Sequence, residues 1–320
     1  MNVLSLFDGI STGRYCLDQA GIHVDNYYSC EINPNTIKIS EKNYQDIIRL
    51  GDVTKINVKV LPKIDLIIGG SPCQGFSRAG LGLNFDDPRS KLFFDYVRIL
   101  NEIRKVNPNV KFLLENVEMK KDWINIINDQ LGVKGYLINS KLLSAQNRPR
   151  MYWTNINFRK SIDDAGVKLI DILEDVDTTD FINHNGVLFD PRIREECRNL
   201  VSVVNGEVRI SQATKLGYAI ANNGDGVNLD FPTSKTRRGR VIKEKSACLT
   251  TSTEPLVFIN GAIRLLTITE KERLQTLPDG YTGGVSYTAR VEGLGNGWTA
   301  EVITHIFRGL TEDKSLGVAV

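Results

Sequence analysis

The sequence is poor in residues that bind metals, and their spacing is unfavourable for a metal site. It has three histidines and five cysteines in 320 residues, and no two cysteines form a CxxC pair. Metal sites with Cys or His ligands use such pairs or clusters, so we expect no metal. The odd, scattered set of cysteines fits a reducing compartment such as the cytoplasm.

Long apolar runs and a strong net charge are also absent. No stretch of about 18 apolar residues occurs, and residues 1–7 lack the basic start and long apolar run of a signal peptide, so we expect no membrane anchor. The net charge is only +2, which does not by itself indicate a nucleic-acid partner. Positive charge is concentrated in a basic run at residues 235–245, which is either a solvated loop or a phosphate-contacting surface. The basic run consists of Lys235, Arg237, Arg238, Arg240, Lys243 and Lys245.

The first half of the chain alternates strand-like and helix-like segments. This alternation predicts parallel βαβ units and a doubly wound, mostly parallel sheet in an α/β fold. The predicted strands are 3–7, 27–30, 47–50, 64–68 and 110–114, and the predicted helices are 12–20, 34–43, 91–106 and, near the end of the chain, 299–310.

The alternation is lost after about residue 158. We therefore expect a catalytic domain over residues 1–158, a smaller irregular, β-rich domain over 159–285, and a returning segment over 286–320 that completes the first domain.

Cys73 follows the predicted buried strand 64–68 and is flanked by Pro72 and Gly75. Ligands bind at the carboxyl edge of open α/β sheets, and a thiolate there is a candidate nucleophile. The alternative for this segment alone is an inert, half-buried cysteine.

A glycine-containing loop at residues 7–13 follows the first strand, without the G-x-G-x-x-G spacing that cradles a pyrophosphate. Glu31 ends the second strand, where a nucleotide-binding fold places a carboxylate for ribose hydroxyls. Asp52 ends the third and could accept from an exocyclic amine. Together they predict an adenosine-like site; the alternative is a glycine turn with two capping carboxylates.

Glu115 ends the fifth predicted strand, at the same sheet edge as Cys73. A carboxyl group beside a thiol nucleophile suits acid catalysis, because its protonated form can donate to a ring nitrogen. Arg148 and Arg150 are two apart on an extended segment, so they point the same way and offer rigid donors to a carbonyl or phosphate. The alternative is a surface salt-bridge pair.

In this order, the segments resemble the DNA cytosine-5 methyltransferase family. The resemblance rests on eight motifs that cover most of the chain. They are the cofactor loop 6–10 (LFDGI), Glu31, the nucleophile motif 72–77 (PCQGFS), the loop-closing segment 85–94, the acid motif 115–117 (ENV), Gln146-x-Arg148-x-Arg150, the segment 264–278 that supports the specificity domain, and the late cofactor motif 295–298 (GNGW). Two features depart from the pattern: Ser11-Thr12 replaces the usual Gly-Gly, and Trp298 replaces the small residue common in bacterial members.

The resemblance implies a Rossmann-like enzyme that transfers a methyl group from S-adenosylmethionine to carbon 5 of a flipped-out cytosine in duplex DNA. Its catalytic residues would be Cys73, Glu115, Arg148 and Arg150. Its cofactor-binding residues would be Phe7, Asp8, Gly9, Ile10, Glu31, Ile32, Asp52, Val53, Pro72, Leu92, Asn296 and Trp298. Its DNA-binding residues would be Gln74, Ser77, Arg78, Arg237, Arg238, Arg240, Thr250 and Thr251. We expect a monomer that acts on double-stranded DNA, and the resemblance leaves open whether a cognate restriction endonuclease acts separately.

Three alternatives stay open at this point. The first is an RNA cytosine-5 methyltransferase on the same scaffold, although the Cys-Phe-Thr motif of tRNA-acting relatives is absent. The second is a catalytically silent DNA-binding regulator, and the third is a nicotinamide oxidoreductase, which the missing G-x-G-x-x-G disfavours. The sequence does not indicate the target site.

Overall fold

A computed structural model of the chain describes residues 1–72, 88–251 and 253–315. Its strands are β1 Asn2–Leu6, β2 Asn26–Cys30, β3 Ile48–Arg49, β4 Leu66–Gly69, β5 Lys111–Val117, β6 Tyr136–Asn139, β7 Pro149–Thr154, β8 Ile182–His184, β9 Val187–Phe189, β10 Val201–Val204, β11 Glu207–Ser211, β12 Tyr218–Ala221, β13 Asp225–Asn228, β14 Arg240–Ile242, β15 Leu256–Ile259 and β16 Ala262–Leu265. Its helices are α1 Thr12–Gln19, α2 Pro34–Asn43, α3 Pro88–Val106, α4 Lys121–Leu131, α5 Glu195–Arg198, α6 Ile268–Leu274, α7 Tyr287–Asn296 and α8 Ala300–Ser315. Within these described ranges, no helix is long and apolar enough to cross a membrane.

The large sheet has seven strands in the order β3-β2-β1-β4-β5-β7-β6. Strands β1 to β5 run parallel, and β7 pairs antiparallel with both β5 and β6. The predicted α/β fold with a mostly parallel sheet is therefore confirmed. The strand order reverses between β1 and β4, which is where open α/β sheets bind their ligands.

Helices cover both faces of this sheet. Successive side chains on a strand point to opposite faces, so neighbouring residues of one strand pack against different helices. On β4, Leu66 and Ile68 join one hydrophobic cluster with residues of α1 and α8, whereas Ile67 joins a second cluster with residues of α3 and α4. This explains why the parallel strands read as continuous apolar runs rather than as alternating ones.

Capping residues and apolar periodicity in the sequence predicted the bounds of several helices and strands correctly. Helix α2 spans the predicted residues 34–43, and its predicted cap Asn33 accepts a hydrogen bond from the backbone N–H of Asn35. One strand was predicted too short: β5 continues through Glu115 to Val117, because Glu115 pairs with Tyr152 on β7. Glu115 therefore lies inside a strand rather than at its end.

The segment after residue 158 forms two further sheets, one of three strands (β10-β11-β12) and one of six (β14-β13-β15-β16-β9-β8). They share a hydrophobic core that includes Phe189, Ile210 and Val227. Leu274 and Tyr281, which lie before the proposed boundary at residue 285, are buried in the cluster that contains Ile303 of α8. Part of the segment assigned to the smaller domain thus packs with the larger one.

Candidate active site

One pocket, with a volume of about 470 Å³, opens at the carboxyl ends of β1, β2, β3, β4 and β5. This volume lies in the range of small-molecule sites, about 300–1,000 Å³. The pocket is lined by all the residues predicted to bind the cofactor, and by Glu115, Arg148 and Arg150. The structure therefore brings together in one cavity residues that are up to 291 positions apart in the sequence, from Phe7 to Trp298.

The loop after β1 forms one wall and is held by Asp8. The Asp8 carboxylate accepts hydrogen bonds from the hydroxyls of Ser5 (2.6 Å), Tyr27 (2.7 Å) and Ser29 (2.8 Å) and from that of Ser11. This network holds Phe7, Gly9 and Ser11 at positive φ values of 58°, 57° and 59°. Asp8 shapes the wall of the pocket, and its carboxylate is largely occupied by protein donors.

Glu31 connects that loop to the start of α2. Its carboxylate accepts from the backbone N–H groups of Gly9 (2.7 Å), Ile32 (2.8 Å) and Asn33 (2.8 Å). A carboxylate has about four acceptor positions, so capacity for a ligand hydroxyl remains. The neighbouring Ile32 side chain is 72% exposed at the pocket and offers an apolar surface to a flat ring.

Asp52 follows β3 on the same side of the pocket. Its carboxylate accepts from the backbone N–H and the hydroxyl of Thr54, and these hydrogen bonds lower the pKa of Asp52. Asp52 is thus an ionised acceptor at the pocket rim at neutral pH.

Glu115 lies at the opposite end of the pocket and is buried, with 8% of its surface exposed. Burial raises the pKa of Glu115, although the charges of Arg150 and Arg148 and the indole N–H of Trp298 act in the other direction. Arg150 Nε is 3.1 Å from Glu115 Oε1. The arrangement offers a carboxyl group that keeps its proton to higher pH than usual, beside a fixed cation.

Arg148 is fully enclosed by backbone carbonyl groups and does not form a surface salt bridge. Its guanidinium donates to the carbonyl oxygens of Leu249 (2.8 Å), Gly295 (3.0 Å) and Gly297 (2.8 Å). It also approaches the sulfur of Cys248 at 3.3 Å. These contacts favour a bracing role for Arg148 over a role in holding substrate.

Four predicted site residues, Cys73, Gln74, Ser77 and Arg78, lie outside the described residues. The last described residues before this segment, Ser71 and Pro72, line the pocket. The amide of Asn116 donates to the carbonyl oxygen and the hydroxyl of Ser71, both at 3.2 Å. Asn116 thereby ties the strand that carries Glu115 to the segment that leads to Cys73.

The predicted DNA-binding residues that are described fall into two groups. Thr250 is half-buried in a turn, where its hydroxyl bonds to Thr253, and the neighbouring Thr251 is exposed. Arg237 and Arg240 are exposed and Arg238 is half-buried, on the smaller domain. None of these five residues lines the pocket.

The basic run is not uniform. Lys243 Nζ donates to Ile220 O and forms an ion pair with Asp225, both at 2.8 Å. Lys245 Nζ donates to the carbonyl oxygens of Lys141, Ser144 and Val167. These two lysines hold the fold together, so the expectation of a phosphate contact is weakened for both of them.

Sequence reasoning did not anticipate several contacts of the site. The contact of Trp298 with Glu115, the link between Asn116 and Ser71, and the approach of Cys248 to Arg148 each join segments far apart in the chain. Only the Trp298 contact had a signal in the sequence, because a tryptophan stands at a motif position where a small residue is common.

The fold and the pocket define an α/β protein of the S-adenosylmethionine-dependent methyltransferase class. Residues 1–312 match the family model described as C-5 cytosine-specific DNA methylase. The chain belongs to this family, and the resemblance drawn from its motifs is confirmed.

Named relatives agree with this assignment. The type II methyltransferase M1.ScrFI of Lactococcus lactis subsp. cremoris is 30% identical over 334 residues, which cover 97% of this chain and 78% of that protein. The type II methyltransferase M.NgoBV of Neisseria gonorrhoeae is 35% identical over 173 residues. That match covers 47% of this chain and only 40% of the length of M.NgoBV. Among solved structures, the methyltransferase EhMeth of Entamoeba histolytica has the same fold, with a TM-score of 0.69, 17% identity and 98% of each chain covered.

Proposed function

We propose that this protein transfers a methyl group from S-adenosylmethionine to carbon 5 of a cytosine in a specific sequence of duplex DNA. The observation that carries the proposal is the single pocket in which the residues expected to bind the cofactor meet Glu115 and Arg150. Membership of the C-5 cytosine-specific DNA methylase family supports it.

The pocket fits S-adenosylmethionine in its chemistry. Glu31 would accept from the ribose hydroxyls, Asp52 would accept from an amine, and Ile32 would lie against the purine ring. A glycine-lined wall, with no phosphate cradle, suits a nucleoside that carries no phosphate. Bound there, S-adenosylmethionine would supply its methyl group as an electrophile on a sulfonium.

The chain's own residues would activate the cytosine. The thiolate of Cys73 would add to carbon 6 of the ring, which makes carbon 5 nucleophilic. Glu115 would hold its proton at ring nitrogen 3, and its raised pKa supports this role. Arg150 would hold the carbonyl oxygen at carbon 2. After methylation, loss of the proton from carbon 5 would release the Cys73 thiolate and restore the aromatic ring.

The base must leave the helix to reach the pocket, because carbon 6 of a stacked cytosine is not accessible to a thiol. We propose that the smaller domain and residues Gln74, Ser77 and Arg78 contact the DNA. Arg237, Arg238, Arg240, Thr250 and Thr251 would be the contacts on the smaller domain. A cytoplasmic location, a monomeric state and a separate restriction endonuclease remain proposals of the same kind.

The test is transfer of labelled methyl groups from S-adenosylmethionine to duplex DNA, with tRNA assayed in parallel. We expect label on DNA at one cytosine context, located by bisulfite sequencing. Duplexes with 5-fluorocytosine at that position should become covalently trapped by the wild type and not by Cys73→Ala, since fluorine does not leave as a proton does. Label on tRNA alone would replace the proposal with RNA methylation, and no label on either polymer would support a silent regulator.

A further inference from the structure

Trp298 touches the residue that we assign as the acid. Its indole Nε1–H donates a hydrogen bond to Glu115 Oε2 at 3.0 Å. Trp298 lies in the short connection between α7 and α8, whereas Glu115 lies on β5, so the contact joins the last part of the chain to the middle of the sheet. Both side chains line the same pocket.

Gly70 leaves space for the indole beside Glu115. A Cβ atom on Gly70 would lie 3.0 Å from both Trp298 Nε1 and Glu115 Oε2, closer than ordinary packing allows. The indole therefore occupies a close-fitting slot that sets the position of its N–H group.

Among the described residues, the other charged or titratable groups around Glu115 lie on β7 or just before it. Arg150 Nε forms an ion pair with Glu115 Oε1 at 3.1 Å, so the two carboxyl oxygens face nitrogen atoms on different elements. The charges of Arg150 and Arg148 favour the ionised form of Glu115, and the Tyr152 hydroxyl is buried nearby. The indole N–H is thus a hydrogen-bond donor to Oε2, while the charge of Arg150 lies beside Oε1.

We propose that Trp298 is a positioning residue for Glu115: its indole N–H holds Oε2, so that the remaining acceptor and proton positions of the carboxyl face the target base. This inference rests on the proposed function, and it assigns to Trp298 a role beyond forming the wall of the cofactor site.

The first test removes the N–H group and keeps the ring shape. Trp298 is replaced by β-(3-benzothienyl)alanine, in which sulfur takes the place of N–H, and also by Phe (Trp298→Phe). We expect kcat to fall roughly 10- to 100-fold, the scale of one hydrogen bond to a charged group. The KM for S-adenosylmethionine should change little for the benzothienyl variant, because the pocket wall keeps its shape.

The pH profile separates positioning from a merely structural role. An N–H donor favours the ionised carboxylate, so its removal raises the pKa of Glu115 and moves the alkaline limb of the kcat profile to higher pH. The matched control is the same replacement at Trp153, whose indole N–H donates to Asn128 Oδ1 outside the pocket. The control should keep the wild-type profile, and a benzothienyl variant at Trp298 with wild-type kcat and profile would overturn the proposal.

A second measurement does not depend on activity. The chain has three tryptophans, so the ¹⁵N-indole spectrum contains three N–H signals, of which Trp298→Phe removes one. We expect that signal to shift on pH titration in the wild type and to stay constant in Glu115→Gln. A Trp298 signal that ignores both pH and the Glu115→Gln change would disprove the contact, whereas an inactive wild type with a titrating signal would refute only the proposed function.

Discussion

Arg148 Nη1 donates a hydrogen bond at 2.8 Å to the carbonyl oxygen of Leu249, a residue 101 positions later in the chain. Through Nη2 the same guanidinium holds the carbonyl oxygens of Gly295 and Gly297. One buried side chain therefore joins three segments: its own motif at residues 146–150, the segment before Thr250, and the pocket wall formed by residues 295–298. The segment that carries the proposed DNA contacts Thr250 and Thr251 is thus fixed to the pocket in which the base would react.

This contact predicts a large effect of Arg148 on stability. The planar guanidinium of Arg148 reaches three carbonyl oxygens at once. The compact ammonium group of a lysine would not reproduce this geometry. Each hydrogen bond to a charged group contributes about 1.5–3 kcal/mol, so Arg148→Lys should lower the free energy of unfolding by at least about 3 kcal/mol. Urea denaturation measures this loss, with the exposed Arg240→Lys as the control. A loss below about 1 kcal/mol would contradict the bracing role.

A second prediction concerns Glu115 as the acid. Glu115→Gln keeps the shape of the side chain but has no transferable proton, so turnover should fall at least roughly 100-fold. Binding of S-adenosylmethionine should be retained, because the proposed cofactor contacts Glu31 and Asp52 follow β2 and β3, whereas Glu115 lies on β5, across β1 and β4 in the sheet. Near-wild-type turnover, with chemistry shown to be rate-limiting, would remove Glu115 from the mechanism.

The raised pKa of Glu115 also predicts a dependence of stability on pH. Burial raises this pKa, so the folded protein holds the proton to higher pH than the unfolded chain does. The contribution of Glu115 to stability is therefore fully present below the unfolded pKa and is lost as the pH rises through the raised folded pKa. The stability difference between the wild type and Glu115→Gln should decrease over that interval. Urea denaturation of both proteins across pH 4–8 would measure it, and a difference that grows with pH would show the sign to be wrong.

The fourth prediction concerns the close-fitting slot beside Gly70. A methyl group there would press on Glu115 Oε2 and Trp298 Nε1, each 3.0 Å from the added carbon. Misplacement of a catalytic group by about 1 Å can cost about 100-fold in rate, so Gly70→Ala should lower kcat by about 10- to 100-fold. The loss should largely disappear when Gly70→Ala is added to Glu115→Gln, because the displaced acid is then already inactive. Equal losses in both backgrounds would show that the methyl group acts elsewhere.

Local patterns explain why the first half of the chain was predictable. The apolar run ending at Ile68 and the Asn33–Pro34 start of α2 depend on neighbours in sequence, so the elements and the sheet edge at which Glu31 and Asp52 lie could be predicted directly. The extent of β5 could not, because residues 115–117 are held in the strand by pairing with β7. The partners of Arg148 and Trp298 lie more than 100 positions away, and only tertiary packing determines them.

Glu31 gives a prediction for cofactor binding that the structure sharpens. Because its carboxylate also holds the N–H groups of Gly9, Ile32 and Asn33, replacement by Ala would disturb two loops as well as the ribose contact. Glu31→Gln keeps an acceptor oxygen and is the better probe. We expect S-adenosylmethionine to bind about 1 kcal/mol more weakly to it, the difference between a hydrogen bond to a charged group and one to a neutral group. Calorimetry on the folded variant tests this, and unchanged affinity would show that the charge of Glu31 does not contribute to cofactor binding.

The last prediction divides the basic run into two parts with opposite roles. Arg237 and Arg240 are exposed, and the guanidinium of Arg237 lies 4.5 Å from the centre of the Phe231 ring. Stacking on a ring leaves the N–H edges of a guanidinium free to meet phosphates. In contrast, the ammonium group of Lys243 forms an ion pair with Asp225, and that of Lys245 donates to three backbone carbonyl oxygens.

Each phosphate contact on duplex DNA contributes about −0.9 to the slope of log affinity against log salt, so replacing Arg237, Arg238 and Arg240 together by Ala should flatten that slope by up to about 2.7. Affinity for S-adenosylmethionine should not change, since none of the three lines the pocket. Lys245→Ala is the matched control: because its ammonium is bound by three carbonyl oxygens of the protein, it should lower stability and leave the salt slope unchanged. If the triple variant keeps its slope while Lys245→Ala flattens it, the assignment within the basic run is reversed, and if neither changes the slope, DNA binds to another face of the smaller domain.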